Sequence, residues 1–251
     1  MTPSTQAWFW LGAMGMMVGA LYFGLGAYSA RKLHNGRAEI VFQLTFFACL
    51  VAVALYLALA SGYGAIEGTF NTGEGAGTRT VWARYVAWTL STPLLVTLFA
   101  YLGRSRLATT TALLGTNAAM VGAGFLATLA VGPSKYLFFV LGLGLYAALA
   151  YLLLRPYREE AHAHLPEHRA VIDRLIGAYV TLWALYPILW LLGPEGWRAY
   201  GATMEASLFT IFDLALKVGF GLLAAATLAH IDGGEPIRPA ELGRSTRSPS
   251  H

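Results

Sequence analysis

The sequence predicts an all-α membrane protein: seven transmembrane helices packed into a bundle with a binding site in its interior. Three observations carry this. The 251-residue chain is 57% hydrophobic and only 12% charged, about half the charge of an ordinary soluble domain. Its mean hydropathy is +0.56. Seven apolar stretches are each long enough to cross a hydrocarbon core about 30 Å thick, which takes roughly 20 residues at 1.5 Å each.

The spans fall near 7–29, 39–62, 81–102, 108–130, 135–155, 170–192 and 202–229. The residues before the first, Met1 to Thr5, lack Lys and Arg, so the first apolar run reads as a retained helix rather than a leader. Tight connections carry turn chemistry, as in Gly132-Pro133-Ser134 and Gly193-Pro194-Glu195-Gly196. Two connections are longer: Glu67 to Arg79, rich in Gly and Thr, and Arg155 to Arg169, rich in Arg, Glu and His. Residues 1–230 form one membrane domain. Residues 231–251, polar with Gly, Pro and Ser, read as a disordered cytoplasmic tail.

Of 17 basic residues, Arg79, Lys135 and Arg198 fall on the side of the N-terminus, Arg84 and Lys217 within spans, and the rest on the opposite side. The positive-inside bias therefore puts the N-terminus outside and the C-terminus in the cytoplasm, in the cell membrane. A lone cysteine, Cys49, sits in an apolar run and reads as a small core residue, with no Cys/His spacing for a metal. A net charge of +4 spread over short loops excludes a nucleic-acid surface, and no nucleophile–base pair points to an enzyme.

Two charges stand where an apolar span should have none. Asp213 and Lys217 lie deep in the seventh span, four residues apart and so on one helix face. Charge at that depth marks function more often than a structural ion pair. A lysine shielded from water offers a neutral amine that condenses with an aldehyde, and the cationic product needs an anion beside it, which Asp213 supplies. The third span brings Arg84, Tyr85 and Trp88; the sixth brings Trp183, Tyr186, Pro187 and Trp190 at spacings of three and four. Aromatic stripes alone are usually core packing. Two of them facing a buried lysine point to a flat, elongated apolar ligand.

These residues resemble the microbial rhodopsin family, in its bacteriorhodopsin and halorhodopsin branch. The resemblance rests on W-A-R-Y-x-x-W-x-x-S-T-P-L-L from Trp82, W-x-x-Y-P-x-x-W from Trp183 and D-x-x-x-K-V-G-F-G from Asp213, and spans nearly the whole chain. It implies all-trans retinal held as a Schiff base on Lys217 and isomerised by light. Trp88 and Trp183 resemble the rings that sandwich the polyene; Tyr186, Pro187 and Trp190 resemble further walls, with Thr92, Leu95, Met120 and Gly124, and with Phe139 and Gly142 at the ring end. Asp213 resembles the counterion, Tyr56 the tyrosine bonded to it, and Arg84 a cation standing opposite it on the outer side. Glu195 and Glu205 resemble an outer proton-releasing pair, against the alternative of two carboxylates merely solvated at the aqueous edge. A trimer or pentamer, with lipid between protomers, is a further implication.

The chain departs from the outward proton pumps at three points. Where they carry a proton-accepting aspartate just before the tryptophan, this chain has Ala87; one turn on it has Ser91; at the inner donor position it has Leu98. Asn117 replaces a further acid. A methyl group cannot accept a proton. Counting the Schiff base and Arg84 against Asp213 alone leaves one positive charge in surplus, and an unpaired buried charge is costly. Halorhodopsins resemble this pattern, and chloride fills the gap there. The expectation is a light-driven inward anion pump, with Ser91, Arg84, the Trp88 N–H and the Schiff base holding chloride near Ala87 and Tyr85. The alternatives are a photosensor signalling through a separate transducer and an atypical proton transporter. Losing the carboxylate at Ala87 narrows the energy gap and a bound halide partly restores it, so absorption in the green to orange is expected while the Schiff base keeps its proton.

Overall fold

A computed structural model describes residues 2–67, 79–130 and 132–233. Seven helices long and apolar enough to cross a membrane follow one another: 3–32, 36–60, 82–102, 107–129, 134–164, 166–192 and 202–231. All of them agree with the expected spans to within a few residues except the fifth, which runs well past its expected end. The protein is an integral membrane protein. A helix satisfies all its own backbone groups, the condition for standing in lipid.

The first four spans are single helices: α1 (Pro3–Lys32), α2 (Gly36–Ala60), α3 (Trp82–Leu102) and α4 (Leu107–Leu129). Thr2 caps α1 and Asn35 caps α2, each side chain accepting from a backbone N–H three residues on. The long second connection forms a two-residue antiparallel hairpin, Ile66 opposite Thr80 and Glu67 opposite Arg79. The rest of that connection lies outside the described residues.

The fifth span corrects the sequence reading. Arg155 to Arg169 was expected as a polar connection, yet α5 (Ser134–Leu152) continues through a π-helical turn at Leu153–Tyr157 into α6 (Arg158–His164). The chain stays helical there because one side of it is buried. Tyr157 reaches across to donate to the Phe99 carbonyl at 2.9 Å. Glu160, also buried, accepts from the Arg106 backbone and side chain and from Thr109. Pro156 sits inside the π turn, where a widened backbone ring accommodates the missing donor. A short 3-10 turn, Pro166–His168, leads into α7 (Arg169–Leu192).

The seventh span is also interrupted. α8 (Ala202–Leu214) passes into a second π turn at Ala215–Gly219, which contains Lys217, and then into α9 (Phe220–Ile231). The expected membrane domain ended at 230 and the helix ends at Ile231; the expected disordered tail from 234 onward lies outside the described residues. Cys49 is buried in the main core cluster, as its apolar setting implied.

Candidate functional site

The centre of the bundle is a single carboxylate with four donors. Lys217 is fully buried, and its Nζ stands 2.9 Å from Asp213 Oδ1. The same oxygen accepts from the Tyr186 hydroxyl at 2.8 Å and from Trp88 Nε1 at 3.2 Å. Oδ2 accepts from the Tyr56 hydroxyl at 3.0 Å. Oδ1 thus meets three donors and Oδ2 one, so Oδ2 keeps a free acceptor position. Four elements converge on it: α2, α3, α7 and the α8–π segment.

Beside this cluster runs an apolar cavity between α3, α4, α5 and α7. Nine residues expected around a ligand line it: Trp88, Met120, Gly124, Phe139, Gly142, Trp183, Tyr186, Pro187 and Trp190, with Tyr85 also on the wall. Thr92, Leu95 and Lys217 are buried but are not wall residues. Trp88 and Tyr186 belong to both the wall and the Asp213 cluster, so the cavity abuts the lysine–carboxylate pair. An elongated apolar aldehyde fits this slot: the lining carries no charge, and an amine with its counter-charge sits beside it. The Trp88 and Trp183 rings, both on the wall, are 6.4 Å apart and inclined at 62°.

Sequence reasoning missed Val121, Ala127, Leu143 and Tyr146 on the wall. Helical spacing could have found them, since Val121 precedes Gly124 by three and Tyr146 follows Gly142 by four. It also missed Thr128, which accepts from Trp190 Nε1 at 2.9 Å and is hydrogen-bonded to Tyr85.

Arg84 contacts a partner that the sequence reading did not give it: its Nη1 lies 2.7 Å from Glu205 Oε1, in a pair buried on both sides, and its guanidinium stacks 3.7 Å over the Phe209 ring. The outer carboxylates are not solvated at the aqueous edge. Glu195 is 7% and Glu205 5% exposed. Glu195 is carried inward by the connection after α7, which folds back on the helix end. Trp197 N–H donates to the Leu191 carbonyl at 2.7 Å, and a Cβ on Gly196 would sit 2.1 Å from that same oxygen. Only a glycine permits so close an approach. Neither Glu195 oxygen has a hydrogen-bond partner. Burial, then the charge of Glu205, raise its carboxyl well above the ordinary range, favouring the protonated form.

Two polar groups near the cavity are buried without partners: Ser91 Oγ and Trp183 Nε1. Ala87, one turn before Ser91, is buried in the position of the missing carboxylate. The Trp88 N–H, expected to be available to a halide, is committed to Asp213. Asn117 Nδ2 donates to Thr92 Oγ1 at 2.7 Å and leaves its own oxygen unpaired.

Seven membrane helices closed around one lysine–carboxylate pair and an aromatic slot define the class: this is a microbial, type 1 rhodopsin. The chain belongs to the Bacteriorhodopsin-like protein family, whose model matches residues 3–231. It is 34% identical to a bacteriorhodopsin from a Haloterrigena species, over 86% of this chain and 85% of that one. It is 33% identical to sensory rhodopsin-2 of Natronomonas pharaonis, over 91% and 92%. The bundle matches the crystal structure of a cyanorhodopsin from the cyanobacterium Calothrix with a TM-score of 0.82 at 29% identity, covering 90% of this chain and 96% of that one.

Proposed function

We propose that this protein is a light-activated photoreceptor carrying all-trans retinal as a Schiff base on Lys217, with Asp213 as the fixed counterion. The observation that carries the reading is a fully buried amine 2.9 Å from a carboxylate that also touches two walls of an apolar slot. Bound retinal supplies light absorption and isomerisation. The chain's part is to shape the slot, exclude water and hold the counter-charge. Adding all-trans retinal to membranes containing the full chain is expected to produce a visible band, and Lys217→Ala to abolish it. A band of undiminished intensity in that variant overturns the reading.

Within that class, charge balance favours a photosensory role over ion pumping. Glu205 pairs with Arg84 and Asp213 with Lys217, so counting Glu205 leaves no surplus positive charge, which supports a site that needs no chloride. Two of the four donors proposed for a halide, Arg84 and the Trp88 indole, are engaged elsewhere. The likeness to sensory rhodopsin-2 supports the same reading, which requires a separate membrane transducer as partner. A photocycle lasting seconds without ion movement is the expected result in illuminated vesicles.

An inward chloride pump is the second reading, and one observation favours it: the Ser91 hydroxyl is buried and free beside Ala87. Titrating chloride into a chloride-free sample separates the two. A moving absorption maximum supports an anion at Ser91, and an unmoved one supports the sensor. Light-driven pH changes abolished by a protonophore would instead establish proton transport through Asp213 and the outer glutamates. The N-terminus outside, the C-terminus in the cytoplasm and a trimer or pentamer complete the proposal. They rest on the distribution of basic residues and on family resemblance.

A further inference from the structure

Among the donors to Asp213, Tyr56 alone comes from α2, and its ring lies against bare backbone. A Cβ built on Gly12 of α1 would stand 2.4 Å from Tyr56 Cδ1 and 2.5 Å from Cε1. Both atoms belong to a rigid ring, not to the end of a flexible chain. Phe9, one turn earlier on α1, also packs against the ring, with centroids 6.4 Å apart. Relieving the clash requires a displacement of about 1 Å to reach ordinary carbon–carbon contact. The hydroxyl moves with the ring, and its 3.0 Å bond to Asp213 has only about half an ångström of tolerance.

Retreat of α1 would disturb a second set of close contacts. Two further glycines hold it against the last span. A Cβ on Gly15 would be 2.7 Å from Leu214 Cδ2, and one on Gly19 would be 2.6 Å from Val218 Cγ2. Leu214 and Val218 immediately follow Asp213 and Lys217. The helix is therefore seated against the segment that bears the site, so an outward shift of α1 would also break its packing beside Asp213 and Lys217.

We propose that Gly12 is a positioning residue: the absence of its side chain lets the Tyr56 ring lie where its hydroxyl reaches Asp213, and so sets the charge distribution on the counterion. The role in colour rests on the retinal reading above; the geometric role does not. Full-length protein with all-trans retinal is compared as wild type, Tyr56→Phe, Gly12→Ala and the double variant, with Gly115→Ala as control, since nothing lies within 4 Å of a Cβ there. Gly12→Ala is expected to shift the absorption maximum in the same sense and by the same amount as Tyr56→Phe, with no further shift in the double variant. A Gly12→Ala maximum at the wild-type position, or two shifts that add, overturns the proposal, as does a Tyr56→Phe maximum that does not move. If Gly12→Ala forms no pigment, Gly12→Ala with Tyr56→Leu is expected to recover it, and failure to recover counts against Gly12. If even the wild-type chain forms no pigment, the retinal reading falls. Gly12 is then decided by the tyrosine ring vibration that Tyr56→Phe removes, which Gly12→Ala must shift.

Discussion

Asp213 and Lys217 stabilise one another only as a pair. Breaking a buried ion pair by removing one partner costs roughly 3–5 kcal/mol, whereas replacing both with apolar groups is often neutral. Asp213→Ala would leave the Lys217 amine uncompensated and strip a partner from Tyr56, Trp88 and Tyr186 together. It is expected to destabilise the retinal-free protein by that amount in equilibrium unfolding from mixed micelles. Adding Lys217→Met is expected to recover part of the loss. A double variant as unstable as the single would show that the hydroxyl and indole donors, not the ion pair, hold the cluster. The pair was legible in the sequence because a charge inside an apolar span has no cheap bland explanation. The partner of Arg84 was not legible. Reading Arg84 against Asp213 ignored Glu205, whose depth depends on where α8 begins and on how the preceding loop folds.

Elements are held in register here by close approach and by single cross-helix bonds. A Cβ on Gly221 of α9 would be 2.2 Å from Thr45 Cγ2 and 2.7 Å from Phe23 Cζ. Small residues bring membrane helices together in this way, since lipid offers no hydrophobic drive between them. Gly221→Ala is expected to cost about 1–3 kcal/mol through overpacking, read as a lower unfolding midpoint, with Gly115→Ala unchanged. The α5–α6 continuation depends on another kind of contact. Tyr157→Phe removes the bond to the Phe99 carbonyl and is expected to cost about 1 kcal/mol, seen as faster thermal bleaching of the pigment. Neither π turn could be read from the chain. Pro156 in Leu153–Tyr157 and Gly219 in Ala215–Gly219 mark a weak point in each helix, but do not show that the turn widens rather than breaks.

For the molecule as a whole, the outer face carries a pH dependence. Glu195 binds its proton more tightly when folded than when unfolded. The unfolded chain therefore releases that proton first as pH rises from the ordinary carboxylate range. Over that interval the native state holds more protons, and stability falls with increasing pH. The fall ends once the native carboxyl has also ionised. Glu195→Gln keeps the shape without the titration and is expected to flatten this part of the stability–pH curve. An unchanged curve would locate the dependence elsewhere. The protonated carboxyl can be followed independently by its infrared carbonyl band, which the same variant removes. Orientation is a second property at this scale. Protease added to right-side-out vesicles is expected to leave the tail after Ile231 intact, and to remove it from inverted ones.

The sequence by itself determined the seven spans, the aromatic, apolar slot at the level of residue types and the absence of a carboxylate at Ala87. Each of these is written in local composition: 20-residue apolar runs, helical spacing of aromatics and a single motif position. Tertiary structure alone decided how the charges divide. Whether Arg84 faces Asp213 or Glu205 depends on which helices pack together and how far the loop at Gly196 folds back. That choice pairs Arg84 with Glu205 and so bears directly on the charge count. Tertiary structure also decided that Tyr56 reaches Asp213 because α1 offers it a glycine. Buried electrostatics depend on distances of a few ångströms between groups far apart in the chain, and no local pattern encodes those distances.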